Sequence, residues 1–245
     1  MTEITPSALS AELHQAAATA ASVVATLDDT AVAAPSELPG WSRGHVLAHL
    51  AGIAHAMARQ LEHASRGETV ELYDGGYEGR TREIELAAGH DAAEHRAAVD
   101  AAFARALAAF DALGEAGWSA PISYRNGTVY DGGLAFWREL TIHTGDLGVG
   151  FGPETWSRPF CEHLFAFLEA RVPGDIKLVL QPLALPQRTI GSGGRSIAVN
   201  GMITDIAAWL AGRTPALGSL RATEAADGVE LPELLPWPAG APAAK

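Results

Sequence analysis

Residues 42–61 read SRGHVLAHLAGIAHAMARQL, and they form the clearest helical pattern in the chain. Large apolar residues recur every three or four positions, which places them on one face of a helix; they are Val46, Leu50, Ile53, Met57 and Leu61. Ser42 stands in the capping position, because its hydroxyl can accept a hydrogen bond from a free N–H group of the first turn. An apolar stripe of this length needs partner helices to cover it, so the pattern favours a helical bundle.

Three further segments of the N-terminal region show the same spacing. The first begins at Thr5-Pro6, a capping hydroxyl followed by proline at the first helical position. The second begins at Asp91, and the third covers residues 134–147. Residues 67–89 are charged and rich in glycine, and we predict a long loop there with a short helical piece. Together the four helical segments predict an antiparallel four-helix bundle.

After about residue 152 the chain changes character, and short β-branched segments alternate with short helices. The predicted helices cover residues 158–170 and 203–210, and the predicted strands cover residues 176–180, 188–190, 196–199 and 217–222. The sequence Gly191-Ser192-Gly193-Gly194 indicates a hairpin-like turn between two of these strands, and the proline-rich segment from residue 231 predicts a loosely attached tail. We therefore predict an α+β protein, with a helical domain over residues 1–152 and a small α+β domain over residues 153–245.

Composition limits the partners of the protein. The chain has 245 residues, with 17 Lys and Arg against 29 Asp and Glu, and its net charge is −12. This charge disfavours nucleic acid and membrane surfaces, because both are anionic. The N-terminal residues lack the basic and apolar regions of a signal peptide, and no apolar run is long enough to cross a bilayer, so a cytoplasmic protein is expected. Cys161 is the only cysteine, which excludes a disulfide framework and cysteine-rich zinc modules within the chain.

Two of the predicted helices carry polar residues on or beside their buried faces. His49 lies beside the apolar stripe of one helix, and His143 falls on the stripe of the other, with Glu139 one turn before it. Two imidazoles and a carboxylate that project into a bundle are a typical donor set for a catalytic zinc ion with an open position. The alternative is structural, with Glu139 paired to a nearby arginine or to His143, and His49 a hydrogen-bonded core residue. Helical geometry alone leaves both interpretations open.

Three stretches of the chain resemble the signatures of one enzyme family. The first is GWSRGHVLAHL at residues 40–50, the second is RELTIHTGDLG at residues 138–148, and the third extends from VNG at residues 199–201 to AGR at residues 211–213. In this order and at similar separations they resemble the mycothiol-dependent maleylpyruvate isomerase family. The resemblance implies a DinB-like four-helix bundle, followed by a small domain similar to sterol-carrier protein.

The resemblance also implies the site and its chemistry. It implies a zinc ion held by His49, Glu139 and His143, a catalytic role for Arg213, and mycothiol as a thiol cosubstrate, in the degradation of aromatic compounds. Other divalent metals suit the same donors. In such an isomerase a thiolate adds to a cis double bond, the resulting single bond rotates, and elimination restores the bond as trans. Cys161 is a poor nucleophile in its apolar setting, so the thiol is expected to come from a low-molecular-weight cosubstrate and the other substrate to be a small anion.

Further residues are candidates for supporting roles. Arg80 and Arg82, in the predicted loop, are candidates for binding the anionic substrate, with solvated loop charges as the alternative. Asp146 is a candidate for orienting a metal ligand, or for local pairing. His55, His63 and the 67–89 segment are expected to line the mouth of the substrate pocket.

Two other functions stay open at this point. One is a mycothiol S-transferase that acts on another electrophile. The other is a non-catalytic protein that binds a metal in its bundle and an apolar ligand in its second domain. Arg213 and the open coordination position of the metal are what separate the enzyme from the binding protein, and the sequence does not predict an oligomeric state.

Overall fold

The structure, a computed structural model, describes residues 4–225 and 227–238. The chain divides into two compact units, one ending at Phe151 and one beginning at Gly152. The described part of the first unit is helical, and the second combines helices with a sheet, which confirms the predicted α+β class. Within the described ranges, every helix is too short or too polar to cross a membrane.

Long helices that pack side by side form the first unit. They are α1 (Pro6–Val24), α3 (Arg43–Ala64), α5 (Ala92–Asp111) and α6 (Val129–Asp146), joined by the shorter α2 (Asp29–Ala33) and α4 (Gly76–Ala87). Helix α3 packs against α4, α5 and α6, and α1 packs against α5 and α6. The five stripe residues of α3 face this core, because each of them is at most 5% exposed.

Side-chain caps determine where these helices begin. Thr5, Ser42, Asp91 and Thr128 each accept a hydrogen bond from the first turn of the helix that follows. At α3 the capping is reciprocal, since His45 Nδ1 accepts from the backbone N–H of Ser42 at 3.2 Å. The predicted starts at Thr5, Ser42 and Asp91 are therefore confirmed.

The structure corrects two predictions in this unit. The 67–89 segment is not mainly a loop, because α4 occupies Gly76–Ala87; within that helix only Gly79 and Ile84 are buried, so no apolar stripe marks it. Helix α6 begins at Val129 rather than at residue 134, and Gly132 lies in its interior. A β-carbon at Gly132 would lie 2.8 Å from Ile122 Cδ1, so this glycine permits close packing and does not mark a turn.

A mixed sheet is the centre of the second unit. Among the described residues its strands are β1 (Ile176–Pro182), β2 (Arg188–Ile190), β3 (Arg195–Gly201), β4 (Arg221–Glu224) and β5 (Asp227–Val229), in the spatial order β2-β1-β3-β4-β5. Strands β1 and β3 are parallel, and the other neighbours are antiparallel. Helices α7 (Arg158–Phe167) and α8 (Ile203–Leu210) pack together. Helix α8 ends as predicted, with Gly212 in the left-handed region at a φ of +69°.

The predicted hairpin between β2 and β3 is wrong, because both strands pair with β1, on its two sides. The intervening glycines pass close to the start of β1 instead of turning. The N–H of Gly193 donates to the carbonyl oxygen of Ile176 at 3.0 Å. A β-carbon at Gly193 would lie 2.1 Å from the backbone nitrogen of Ile176. The glycines thus allow a close backbone approach, which no larger residue would permit.

The C-terminal segment also differs from prediction. Strand β4 begins at Arg221 rather than at residue 217, and β5 was not predicted. The tail is attached to its unit, because Leu235 and Arg171 exchange hydrogen bonds of 2.8 and 2.7 Å. The ring of Trp237 lies 5.8 Å from that of Phe167. Residues 239–245 of the predicted tail lie outside the described residues.

Candidate metal centre

His49 on α3 meets Glu139 and His143 on α6 where these two helices pack together. One oxygen of Glu139, Oε2, lies 2.8 Å from His49 Nε2 and 3.2 Å from His143 Nε2. The two imidazole rings are 4.7 Å apart and nearly perpendicular, at 84°. All three residues offer ligand atoms within 4.8 Å of one another. The structure therefore brings together the three residues on which the sequence analysis centred.

The segment GWSRGHVLAHL fixes α3 against the end of α6. The Arg43 guanidinium donates to the carbonyl oxygens of Leu147 at 2.6 Å and Gly148 at 3.3 Å, which follow the last turn of α6 and need partners there. Gly44 allows a second close approach, because a β-carbon would lie 2.2 Å from the carbonyl oxygen of Ala88. The motif thus positions His49 relative to α6 as well as supplying it. The sequence analysis includes Arg43 in this motif but assigns it no role of its own.

Hydrogen bonding distributes charge unevenly over the three groups. Burial alone would raise the pKa of Glu139, but hydrogen bonds from His143 and His49 hold it well below its usual value. Burial lowers the pKa of His49, despite its hydrogen bond to Glu139. Burial also acts to lower the pKa of His143, yet hydrogen bonds to Asp146 and Glu139 raise it to about 9. Without a metal, the cluster thus holds a carboxylate, an imidazolium and a neutral imidazole.

The donor atoms suit a divalent metal ion. Two imidazole nitrogens and one carboxylate oxygen are the protein ligands of many catalytic zinc sites, which keep one position open. A metal ion would replace the protons that these groups share, because each donor must be deprotonated to bind it. Across residues 4–225 and 227–238, no other group of three His, Cys, Asp or Glu side chains is arranged in this way. The residues present therefore fit a bound metal.

Each imidazole has a second partner at its Nδ1 atom. His143 Nδ1 lies 2.8 Å from Asp146 Oδ2, and the Asp146 side chain is only 3% exposed. A carboxylate is a common partner behind a metal-binding imidazole, because it fixes the orientation of the ring. His49 Nδ1 instead lies 3.1 Å from Arg80 Nη2. A guanidinium can only donate, so His49 accepts at Nδ1 and carries its proton on Nε2, facing Glu139.

A cavity of about 190 Å³ adjoins His49 and Arg80. Residues of α3, α4 and α5 line it, and most are small or apolar, such as Ala48 and Gly52. Sequence reasoning missed Tyr73, which also lines the cavity and whose ring centroid lies 5.8 Å from the Arg80 guanidinium carbon. Burial raises the pKa of the Tyr73 phenol, which stays protonated and able to donate a hydrogen bond. Residues of the 67–89 segment therefore line this cavity, from helix α4 and from the stretch before it, and its identity as the substrate pocket stays a prediction.

The predicted pocket residues separate into two groups. His55 and Arg80 line the cavity. Arg82 is exposed on α4 and is not among the lining residues. His63 is likewise not among them, and its Nδ1 lies 2.9 Å from the carboxylate of Glu68.

Two further candidates lie in the second unit. Arg213 follows α8, where its Nη1 donates to the carbonyl oxygen of Ala211 at 3.0 Å. Its backbone N–H donates to the carbonyl oxygen of Ala208 at 2.8 Å. These contacts are those of an arginine at a helix end, so its catalytic role stays a prediction. Cys161 is fully buried in α7, and burial raises the pKa of its thiol to about 12.

Known proteins share both sequence and fold with this chain. The sequence model described as "Mycothiol maleylpyruvate isomerase N-terminal domain" matches residues 13–148, which include all three clustered residues. No curated protein matches the chain significantly. Two solved structures, of the mycothiol-dependent maleylpyruvate isomerase and of a histidine-to-alanine variant of it, match with a TM-score of 0.82. Each is 21% identical and covers 96% of this chain and 99% of its own, and at that identity the match shows a common fold. Because the family domain spans more than half of the chain, the protein belongs to the mycothiol maleylpyruvate isomerase family.

Proposed function

We propose that this protein is a zinc-dependent and mycothiol-dependent isomerase, which converts maleylpyruvate or a closely similar cis substrate into its trans isomer. The observation that carries the proposal is the convergence of His49, Glu139 and His143 inside the segment that matches the family. Two histidines and a carboxylate form a ligand set that favours zinc and leaves one coordination position open. The same donors also bind other divalent ions, so metal analysis is part of the test.

A metal ion bound at such a site would hold a thiol and lower the pKa of that thiol, so that thiolate is present near neutral pH. The residues of the chain must then bind and orient an anionic substrate. With a net charge of −12, the protein repels anions at long range, so local cations are required. We assign carboxylate binding to Arg80, because a guanidinium binds carboxylate oxygens through parallel hydrogen bonds, and we keep for Arg213 the catalytic role that the family resemblance implies.

The proposed reaction leaves the thiol unchanged overall. The thiolate sulfur bonds to one carbon of the cis double bond, and the π electron pair moves onto the conjugated carbonyl oxygen as an enolate. The carbon–carbon bond is then single and rotates. The enolate re-forms its carbonyl and expels the thiolate, which restores the double bond as trans. In this scheme Arg213 stabilises the negative oxygen of the enolate, a role for which a fixed cation is well suited.

The direct test follows the absorbance of maleylpyruvate in the presence and absence of mycothiol, on protein of measured metal content. We expect turnover that needs both the thiol and a stoichiometric divalent metal, and that is lost on chelation and restored by zinc. Consumption of mycothiol without a trans product would indicate an S-transferase. Stoichiometric metal without any thiol-dependent reaction would indicate a binding protein. Purified protein that lacks divalent metal would contradict the proposal.

Asp146 offers a prediction about the metal centre. The Asp146→Asn variant is expected to bind metal about 10–100-fold more weakly, because its amide no longer provides a charged acceptor that fixes the His143 ring. Competition with a chromophoric chelator measures this affinity. Asp111→Asn is the matched control, since Asp111 also pairs with a histidine, His14, at 2.8 Å, but on the surface and outside the cluster. Equal metal affinities for both variants and the wild type would show that Asp146 does not support a ligand.

Cys161 offers a prediction about the nucleophile. Its thiol is buried and has a raised pKa, so it supplies almost no thiolate near neutral pH. The Cys161→Ala variant is therefore expected to retain mycothiol-dependent turnover within about twofold of the wild type, with a small loss of melting temperature from the missing sulfur. Steady-state kinetics and a thermal melt measure both quantities. A variant that keeps its metal and fold but loses turnover would make Cys161 the nucleophile.

A further inference from the structure

We propose that the cavity beside His49 is the binding site of the small electrophile, that Arg80 binds its carboxylate there, and that the open space at Gly52 limits its size. This inference rests on the proposed function, because it assigns separate binding positions to the electrophile and the thiol of that reaction. The cavity is assigned to the electrophile and not to the thiol.

Size separates the two substrates. The cavity has a volume of about 190 Å³, well above the ~10–15 Å³ that a single bound water molecule requires. A short unsaturated dicarboxylate is of that order of size. Mycothiol is much larger, because it carries two linked six-membered rings in addition to its cysteine. The cavity therefore fits the electrophile.

Charge makes Arg80 the anchor for an anion. Among the described residues that line the cavity, Arg80 is the only Lys or Arg, and Glu83 is the only carboxylate, with an exposed side chain. His55, His90 and His95 also line it. Burial lowers the pKa of His55 and of His95, which favours their neutral forms. The Arg80 guanidinium is thus the group in the cavity lining that stays positively charged near neutral pH. It is half-buried and lies close to the Tyr73 ring.

The position of Arg80 connects the cavity to the cluster. Arg80 donates to His49 Nδ1 at 3.1 Å, on the side of the ring away from Glu139. Arg80 thus contacts the cluster at His49 and also lines the cavity.

Gly52 provides the space that the substrate needs. It lies in the interior of α3, three residues after His49, and a β-carbon added to it would meet no atom within 4 Å. Because Gly52 lines the cavity, that empty volume is part of the proposed site. Residues three apart share a helix face, so a larger side chain at this position would narrow the cavity beside His49 without altering a metal ligand.

The test measures binding of maleylpyruvate to the zinc-loaded protein by calorimetry without thiol, where no addition can occur. Gly52→Val and Arg80→Met are each expected to weaken binding at least tenfold, and Gly52→Ala by a smaller factor, while metal content stays unchanged. Gly114→Val is the matched control, because Gly114 is exposed, has equally open surroundings and does not line the cavity. The control is expected to bind as the wild type does. Gly52→Ala is expected to melt no lower than the wild type, since alanine is the better helix former.

The outcomes separate this inference from the proposed function. Wild-type affinity in both Gly52→Val and Arg80→Met overturns the assignment of the cavity, even if mycothiol-dependent turnover is observed. Weakened binding in these variants, in a protein that shows no thiol-dependent turnover, supports the cavity and contradicts the proposed function. Absence of maleylpyruvate binding by the wild-type protein overturns the inference for this substrate.

Discussion

Glutamine in place of Glu139 is expected to leave the protein folded but unable to retain its metal. The amide keeps the size of the side chain and can still accept a hydrogen bond from His49. It removes, however, the negatively charged carboxylate oxygen that faces both histidines and would bind the metal. Loss of a partner behind a ligand already weakens metal binding about 10–100-fold, so loss of a ligand is expected to weaken it by at least about 100-fold. Turnover is expected to fall by about 10³-fold, because the metal contributes several kcal/mol to the reaction.

Metal content after dialysis and the rate at saturating thiol measure these two effects. Glu62→Gln is the matched control, since Glu62 lies on α3 outside the cluster and pairs with Arg105 at 2.7 Å on the surface. Such an exposed pair contributes less than about 1 kcal/mol to stability, so metal content and rate are expected to stay at wild-type values. Stoichiometric metal and full turnover in Glu139→Gln would contradict the proposed metal centre.

Alanine in place of Arg213 is expected to reduce kcat by about 10²–10³-fold without changing the metal content. Loss of one group that stabilises a developing oxyanion has an effect of this size. Lysine at the same position is expected to recover part of the rate, because it keeps the charge but lacks the planar pair of donors. Steady-state kinetics with mycothiol, together with metal analysis, separate this effect from that of a lost ligand.

A helix-end role for Arg213 makes a competing prediction. Arg213 donates to the Ala211 carbonyl oxygen, so its removal is also expected to lower the melting temperature. If the role of Arg213 is purely structural, Arg213→Ala changes the melting temperature and leaves kcat at the wild-type value. Arg195→Ala is the control in the same unit, because Arg195 is exposed and pairs with Glu224 at 2.7 Å. Its kcat is expected to match the wild type. A wild-type kcat in Arg213→Ala, at a temperature where the variant is folded, would remove Arg213 from the catalytic residues.

Sequence patterns predicted those parts of the fold that depend on short-range physics. A capping side chain followed by an apolar stripe is a local signal, and it located the starts of α1, α3 and α5. Helix α4 lacks such a stripe, since Ile84 is its single large buried residue, so its sequence predicts a loop with only a short helical piece. The partners of β2 and β3 were mistaken because alternation along a strand shows which face is buried but not which strand lies beside it.

The same distinction applies to the candidate site. The predicted grouping of His49, Glu139 and His143 came from helical spacing, which converts sequence position into a face. The choice between Arg80 and Arg82 needed α4 to be known as a helix. Arg80 is four residues before the buried Ile84 and shares its face, whereas Arg82 lies on an exposed side.

The glycine inside α3 has a consequence for how this protein can evolve. Substitutions that reshape a binding site usually reduce stability, which limits how many of them can accumulate. At Gly52 a substitution that narrows the site is instead expected to raise stability. Alanine in a helix interior is about 0.5–1 kcal/mol more favourable than glycine, and no atom lies close enough to clash with its β-carbon. Divergence toward smaller substrates can therefore proceed with a gain in stability, whereas divergence from alanine back to glycine requires stability gained elsewhere. Among descendants of such an enzyme, those with the narrower substrate range would then tolerate more mutations at other positions.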